Sequence, residues 1–350
     1  MSCSRYASKS RHEEPVEWFK HIRYSGWKEL LCGVPQGSVL GPLLFNIYIN
    51  DLFYLFINTH PTNFADDTTL SACDVKLEDL LHSLEDDTLT AILWFDNNFM
   101  KLNQGKCHFL TSGTIEQLWV RVGDEMIWES KAEKLLGMTV DKNLKFDDHL
   151  TNLCKKACSK VSALARIVKI LPFHKRHLIL KTFIESQFSY CPLVWMFCSR
   201  KVNRKINHLH ARALRLVYDD YTSSFDELLC KDKSLSFHHR NIHLVAIEIF
   251  KAKNNLSPPF MKDIFVSSET RETRAGDKIA RPNVNKVNSG ERSLSSFGAI
   301  IWNTMLPKKL KLCADIETFK LSLNSWIPEN CLCVLCKKWV SGVGYVDLYE

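Results

Sequence analysis

Two short stretches, taken together, decide how this sequence is interpreted. Residues 33–44 read Gly-Val-Pro-Gln-Gly-Ser-Val-Leu-Gly-Pro-Leu-Leu, and residues 64–68 read Phe-Ala-Asp-Asp-Thr. The first predicts a loop that lies against a base pair, and the second predicts a turn that offers two carboxylates to metal ions. Together they indicate phosphoryl-transfer chemistry on a nucleic acid, a conclusion that neither stretch supports alone.

The glycine-containing loop has the composition of a backbone surface that approaches a ligand. Gly33 and Gly37 allow close backbone approach, and Pro35 fixes φ and stiffens the loop. Gln36 offers both a hydrogen-bond donor and an acceptor. The alternative is a tight turn before a core helix, and the residue types alone do not separate these two interpretations.

Asp66 and Asp67 are adjacent, which restricts where both can serve one site. Successive residues of a strand point to opposite faces, so two neighbouring carboxylates converge only where the strand bends. We therefore predict that they lie at a hairpin turn. Mg²⁺ prefers oxygen ligands and is usually held by one or two carboxylates together with substrate phosphates. The alternative is a solvated Asp-Asp turn, since Asp is a favoured turn residue.

An apolar run follows the glycine loop and predicts a buried core helix followed by a strand. Gly41-Pro42 is suited to a first helical turn, and the run extends from Val39 to Ile57. It is nearly long enough to cross a bilayer, but it contains Asn46, Asn50 and Asp51, and a central Asp is costly there. No membrane partner is expected.

Charge is distributed unevenly along the 350 residues, whose net charge is +7. Residues 51–100 hold ten acids and one base, a net −9, whereas residues 151–218 hold fourteen Lys or Arg and one acid, a net +13. A positive field of that size favours a phosphate backbone. The alternative for the basic block is a solvated helical face.

The thirteen cysteines are odd in number and scattered, and no signal sequence opens the chain. We expect an intracellular, reducing compartment, either nucleus or cytoplasm. Cys331, Cys333 and Cys336 suggest a zinc site, but structural zinc takes four ligands and only three are clustered. The alternative is a reduced cysteine cluster, and elemental analysis of the purified protein separates the two.

The spacing of apolar residues predicts an α+β fold in which strands precede helices. A helix is predicted over 77–95, and a second over 150–167, with Lys155, Lys156 and Lys160 off its apolar stripe. Short strands are predicted at 107–110, 118–122, 126–128 and 136–140, and further helices at 174–190, 201–217 and 237–253. Residues 266–294 are polar and predict an exposed linker.

The glycine loop and the acidic pair, taken in order, resemble the reverse transcriptase of non-LTR (LINE-like) retrotransposons of the jockey or CR1 type. The resemblance begins with the glycine loop and Phe-Ala-Asp-Asp-Thr, and continues through residues 101–106, the hairpin at 135–141 and the Cys-x-Cys-x-x-Cys tail. It covers roughly residues 30–350. It implies a partial right-hand polymerase palm, an antiparallel sheet with helices, followed by an α-helical thumb and a mainly helical C-terminal region.

The resemblance also implies roles for particular residues. Asp66 and Asp67 match the catalytic pair that holds Mg²⁺, two ions in the complete family site. Lys106 matches a lysine proposed to protonate the leaving pyrophosphate, with a plain surface lysine as the alternative. The partners implied are an RNA template, a DNA primer and deoxynucleoside triphosphates. The residues expected to contact template or substrate are Gly33, Pro35, Gln36, Gly37, Ser38, Lys155, Lys156 and Lys160.

One element of the family pattern is missing from this sequence. Polymerases of this kind use a third carboxylate from an earlier strand, yet no Asp precedes Asp51, and the acids before it are Glu13, Glu14, Glu17 and Glu29. We therefore expect an N-terminally truncated reverse transcriptase that is inactive alone. The alternative function is a non-catalytic nucleic-acid-binding remnant that uses the basic thumb face.

The predicted domain organisation has six parts. They are a poorly matching segment (1–30), a partial palm (31–145), a thumb helix (146–172), a helical region (173–265), a polar linker (266–294) and a C-terminal segment with the cysteine cluster (295–350).

Overall fold

The computed structural model describes residues 33, 37–113, 117–266, 278–282, 293–328, 337–340 and 344–347. These residues combine helices with small antiparallel sheets, as the predicted α+β class requires. The chain divides into two compact units, of which one comprises Met1–Gly105 with Val120–Glu125 and the other Lys106–Trp119 with Met126–Glu350.

The first unit begins with helix α1 (Gly41–Ile49), which continues into a 3₁₀ turn (Asn50–Tyr54). Strands β1 (His60–Phe64) and β2 (Asp67–Ser71) form an antiparallel hairpin, and helix α2 (Leu77–Asn97) follows. The helix predicted over 77–95 is thereby confirmed. The small core of this unit joins the end of α1 to α2 through Ile49, Leu52, Ala91 and Trp94.

The predicted buried helix after the glycine loop is present, but its predicted burial is wrong. In α1 only Gly41 and Ile49 are buried, whereas Leu43 is 56% and Ile47 is 66% exposed. The part of α1 that contacts α2 lies at its C-terminal end, where the Tyr48 and Trp94 rings meet edge to face at 6.0 Å. The other side of α1 is left uncovered by the described residues of this unit.

Four short strands follow α2, and they pair as two separate hairpins. They are β3 (Trp119–Val122) with β4 (Glu125–Trp128), and β5 (Ala132–Leu135) with β6 (Met138–Asp141). The strand predicted at 107–110 is reduced to one bridge, Phe109 to Glu129. The strand predicted at 136–140 starts late because Leu136 and Gly137, both with positive φ, form the turn between β5 and β6.

The second unit is mainly helical around two long helices that pack together. Helix α3 (Asp147–Ile167) and helix α6 (Arg200–Tyr218) confirm the helices predicted over 150–167 and 201–217. Between them lie α4 (Phe173–Ile179) and α5 (Pro192–Trp195). The helix predicted over 174–190 is instead interrupted, because α4 passes into a π-helical turn (Leu180–Ile184) and then a 3₁₀ turn (Glu185–Phe188).

Helix α8 (Phe237–Lys253) confirms the helix predicted over 237–253 and forms the centre of the largest apolar core. Its Phe250 ring stacks on Phe319 with centroids 4.3 Å apart. The surrounding helices are α7 (Phe225–Asp232), α9 (Phe260–Ile264), α10 (Leu294–Ile300), a π-helical turn (Ile301–Met305), α11 (Lys308–Lys311) and α12 (Ile316–Leu323).

Two further strands, β7 (Lys337–Val340) and β8 (Gly344–Asp347), form a hairpin near the end of the chain. Most of the predicted polar linker, residues 267–277 and 283–292, lies outside the described residues. Across the described part of the chain, the structure contains no helix with the length and apolarity needed to span a bilayer.

A buried ionic network connects several helices of the second unit. Glu185, whose side chain is 6% exposed, accepts hydrogen bonds from Lys181 at 2.9 Å and from Arg240 at 2.5 Å. Lys181 also contacts Asp232 at 2.7 Å. Burial raises the pKa of Glu185, but the hydrogen-bonding and charged groups of His210, Arg240 and Lys181 outweigh it and hold that pKa well below its usual range.

Candidate active site

The two neighbouring aspartates lie at the tip of the β1–β2 hairpin, as predicted. Phe64 pairs with Asp67 in the last register position, so that Ala65 and Asp66 form the two-residue turn. Both carboxylate residues are exposed, and neither makes an ion pair with another residue that the structure describes. Ala65 has φ of 54°, the left-handed conformation that a two-residue hairpin turn requires at its first position.

The side chains of the hairpin hold the tip in place. The Asn63 amide donates to Thr68 Oγ1 at 3.0 Å and to the Asp67 carbonyl oxygen at 3.3 Å. These hydrogen bonds join the two strands next to the turn. The hairpin thus presents two carboxylate side chains to solvent at a turn whose strands are joined by side-chain hydrogen bonds.

A buried aspartate that the sequence analysis missed holds the segment leading into β1. Asp87 on α2 is 3% exposed, and its carboxylate accepts backbone N–H groups of Ile57, Asn58 and Thr59 at 3.4, 3.0 and 2.7 Å. The signal was present in the sequence, because Asp87 occupies a position of the apolar stripe formed by Leu80, Leu84 and Ala91. An acid at such a position needs hydrogen-bond donors inside the fold.

The glycine loop is described only in part. Gly33 and Gly37 have φ of 83° and 84°, the left-handed region that favours glycine, while Pro35 and Gln36 lie outside the described residues. Ser38 Oγ accepts the Gly41 backbone N–H at 2.9 Å and thereby satisfies a donor at the start of α1.

The carboxylate pair lacks a third neighbouring ligand in the described part of the chain. No group of three or more His, Cys, Asp or Glu residues there is arranged to hold a metal ion. Asp66 and Asp67 offer the carboxylate oxygens that Mg²⁺ prefers as ligands, and both side chains are exposed. The predicted zinc ligands Cys331, Cys333 and Cys336 lie outside the described residues.

The predicted lysines are placed on different elements and faces. Lys106 is exposed in a 3₁₀ turn (Gln104–Lys106) of the chain following α2. Lys155 lines a cavity between α3 and α6, whereas Lys156 and Lys160 do not line it. Lys160 Nζ lies 6.0 Å from the centroid of the Phe183 ring. The three α3 lysines therefore do not form a single face.

The cavity between α3 and α6, which we call the α3–α6 groove, has a volume of about 560 Å³. Its lining combines cationic, apolar and thiol side chains from both helices: Leu150, Thr151, Cys154, Lys155, Cys158, Val202, Arg204, Lys205, His208, Leu209 and Arg212. Burial raises the pKa of the Cys154 thiol despite the nearby charge of Lys205. The basic composition of 201–212 was visible in the sequence, but which side chains face α3 was not.

Comparison with known proteins shows which sequences this chain is similar to. Residues 10–140 match a family model described as reverse transcriptase (RNA-dependent DNA polymerase). The chain is similar to the RNA-directed DNA polymerase from mobile element jockey of Drosophila melanogaster, 26% identical over 220 residues, which cover 56% of this chain and 23% of that protein.

Two other relatives give the same result. The probable RNA-directed DNA polymerase from transposon BS of Drosophila melanogaster is 24% identical over 210 residues, covering 56% of this chain and 23% of the relative. The jockey polymerase of Drosophila funebris is 28% identical over 209 residues, which cover 55% of this chain and 22% of that protein. The chain thus spans less than a quarter of the length of these relatives.

No solved structure shows a significant match to the chain. The family assignment therefore depends on sequence, namely the match over 10–140 and the similarity to the jockey and BS polymerases. The matched segment contains the glycine loop, the hairpin with Asp66 and Asp67, and all but the last residue of the β5–β6 hairpin. Residues 10–140 therefore match the reverse transcriptase family, and the chain is similar to the RNA-directed DNA polymerases of jockey-like, non-LTR retrotransposons.

Proposed function

We propose that this chain forms part of an RNA-directed DNA polymerase that extends a DNA primer on an RNA template. Residues 31–145 belong to the palm in this proposal, and residues 146–172 form the thumb helix. The observation that carries the proposal is the exposed Asp66–Asp67 pair at a hairpin tip inside the segment that matches the reverse transcriptase family. Deoxynucleoside triphosphates are the second substrate.

In this proposal Asp66 and Asp67 are the residues that would hold Mg²⁺. Bound Mg²⁺ ions stabilise the negative charge that develops on the transferring phosphoryl group. The protein contributes two carboxylates on a hairpin whose approach segment is fixed by Asp87. Lys106, which is exposed, is the candidate proton donor to the leaving pyrophosphate because it matches the family's lysine, with a plain surface lysine as the alternative.

A chimera with a relative tests the proposal. The segment of the Drosophila melanogaster jockey polymerase that aligns with this chain is replaced by the aligned residues of this chain, including the β1–β2 hairpin, and Mg²⁺-dependent primer extension on an RNA template is measured. We expect extension by the chimera and a loss of about 100-fold or more in the Asp66→Asn and Asp67→Asn variants, since each removes charge from an ion ligand.

Asp124→Asn is the matched control, because Asp124 is also an exposed aspartate in a hairpin turn, between β3 and β4. It should leave primer extension unchanged. Extension that survives Asp66→Asn, or a folded chimera that binds template and primer yet never extends, contradicts the proposal.

We further propose that the 350-residue chain alone does not extend a primer. The support is the lack of a third carboxylate beside Asp66 and Asp67 among the residues that the structure describes. Primer extension by the purified chain, dependent on Mg²⁺ and abolished by Asp66→Asn, would show that this expectation is wrong.

A second candidate function, non-catalytic nucleic-acid binding, is favoured by the exposed Lys156 one turn away from Lys160 on α3. Neutralised phosphates release counterions, so binding should weaken steeply with salt. We expect the double variant Lys156→Glu, Lys160→Glu to weaken RNA and DNA binding about equally across sequences and to flatten the salt dependence. Asp66→Asn should leave binding unchanged in filter-binding or fluorescence anisotropy assays; an unchanged salt slope in the double variant would contradict this role.

A further inference from the structure

The α3–α6 groove combines an apolar floor with cations that have no acidic partner in the described structure. Val202 and Leu209 contribute to the floor, and Lys155, Arg204, Lys205 and Arg212 are exposed around it. None of these four cations makes an ion pair with a carboxylate among the described residues. The groove therefore presents unbalanced positive charge beside apolar surface.

This combination favours an amphipathic helix with acidic flanks as the occupant. A helix laid in a groove buries its apolar stripe on the floor and places its acids against the rim. A single-stranded nucleic acid would use the cations but would also need aromatic side chains for its bases to stack on, and no Phe, Tyr or Trp lines the groove as far as the structure describes it. A duplex would contact the cations through its phosphates and leave the apolar floor uncovered. The apolar floor therefore favours an amphipathic helix, which can cover it, over a nucleic acid, which would contact only the cations.

The outer face of α2 has the complementary composition. The helix contains six acids and neither Lys nor Arg. Asp87 and Glu85 accept backbone N–H groups within the unit, Glu85 from Arg121 at 2.9 Å, while Asp79 pairs with Lys76 at 3.8 Å and Asp86 with His82 at 3.4 Å on the helix surface. On the outer face, Leu89 and Leu93 are 54% and 55% exposed. Asp86 and Asp96 are exposed on either side of them.

The outer face of α2 and the α3–α6 groove also have similar lengths. Leu89 and Leu93 are four residues apart and therefore form a continuous stripe, and Asp86 to Asp96 spans about 15 Å along the helix axis. The groove extends from Val202 to Arg212 on α6, which is also about 15 Å. Two leucines and two flanking acids therefore fit one groove length.

We propose that the α3–α6 groove binds the acidic outer face of α2 from a second copy of this chain. Each copy carries one groove and one such helix, so two reciprocal contacts close a symmetric dimer. The proposal does not depend on polymerase activity, because neither surface includes Asp66 or Asp67.

Charge reversal with complementation tests the dimer. The mass of the full 350-residue chain is measured by analytical ultracentrifugation for the wild type and for two double variants: a groove variant, Lys205→Glu with Arg212→Glu, and a helix variant, Asp86→Lys with Asp96→Lys. We expect a dimer for the wild type and a rise of about tenfold or more in the dimer dissociation constant for each variant alone.

Mixing the two variants separates recognition from misfolding. The acidic helix of the groove variant fits the basic groove of the helix variant, and the reversed helix fits the reversed groove, so the mixture should form a dimer. Cys154 and Cys158 line the groove, and we expect their alkylation, followed by mass spectrometry of the peptides, to slow in the dimer.

Three outcomes would overturn the proposal. They are a wild-type chain that stays monomeric up to about 100 µM, a mixture of folded variants that fails to dimerise, and a groove variant that loses only RNA or DNA binding while the helix variant behaves as wild type. The last result would assign the groove to nucleic acid instead.

Discussion

At the scale of single residues, the placement of the two carboxylates depends on backbone features next to them. Ala65 adopts a left-handed φ of 54° so that Asp66 can occupy the turn. A non-glycine residue in that region costs about 1–2 kcal/mol relative to a right-handed one. The hairpin is therefore maintained by the pairing of its two strands and by the buried Asp87, which holds the segment that leads into β1.

Replacing Asp87 should loosen the approach to the hairpin. Asp87→Ala leaves the backbone N–H groups of Ile57, Asn58 and Thr59 without their buried acceptor, so we expect the first unit to lose about 2–3 kcal/mol of unfolding free energy. Urea denaturation and amide hydrogen exchange of residues 57–71 measure this effect.

The neighbouring residue provides the control for this change. Asp86 is exposed and only pairs with His82 on the helix surface at 3.4 Å, so Asp86→Ala should change stability by less than about 0.5 kcal/mol. Equal effects of the two substitutions would show that the buried hydrogen bonds do not determine the stability of this segment.

At the scale of elements, the connection between β6 and α3 is organised by one side chain. The Asp141 carboxylate accepts backbone N–H groups of Asn143, Lys145 and Phe146 at 3.0, 3.2 and 2.5 Å. This loop contains two left-handed residues, Leu144 and Phe146, directly before α3. The carboxylate thus compensates for a loop conformation that these residues rarely adopt.

Asp141→Ala should therefore destabilise the second unit. We expect a loss of about 1–3 kcal/mol of unfolding free energy, because three backbone donors lose a charged acceptor, and a smaller loss for Asp141→Asn, which keeps one oxygen. Thermal unfolding followed by circular dichroism measures both, and an Asn variant as unstable as the Ala variant would contradict the assignment to hydrogen bonding.

At the scale of the whole molecule, buried titratable groups make stability depend on pH. Burial lowers the pKa of His210 despite Glu185 nearby at 3.5 Å, with Arg240 and Lys181 lowering it further. Burial also lowers the pKa of His243, against the opposing effect of its hydrogen bond to the Trp326 carbonyl oxygen at 2.9 Å. The folded chain thus favours neutral imidazoles at both positions.

The sign of the resulting pH dependence follows from linkage. A group whose pKa is lowered on folding binds more protons in the unfolded state, so its contribution to stability is complete above the unfolded pKa and is lost as pH falls below it. For His210 and His243 this loss begins below the ordinary value of 6.5, and for Glu185 below 4.5.

We therefore expect the free energy of unfolding to fall in two stages on acidification. Urea titrations at intervals between pH 8 and pH 4 measure it, and NMR of the His210 and His243 ring protons shows whether these side chains remain neutral at pH 6.5. A free energy of unfolding that rises as the pH is lowered from 7 to 5.5 would contradict the expected sign.

The sequence by itself determined the long helices and the hairpin. Helices α2, α3, α6 and α8 follow from apolar residues at helical spacing, and the hairpin follows from two adjacent carboxylates at a predicted bend. These are local properties, since helix period and turn chemistry act over a few residues. The interrupted segment 180–188 was not predictable, because it contains the buried Glu185, whose partners Arg240 and His210 are distant in the sequence.

Only the tertiary structure decided which surfaces meet. It left the apolar face of α1 exposed, separated Lys155 from Lys156 and Lys160, and gave the buried Asp87 a role in holding the segment before β1. An apolar or charged stripe in a sequence predicts the chemical character of a helix face, but it does not predict which partner covers that face. Burial and charge pairing depend on contacts between residues far apart in the chain, and those contacts are fixed only when the helices pack.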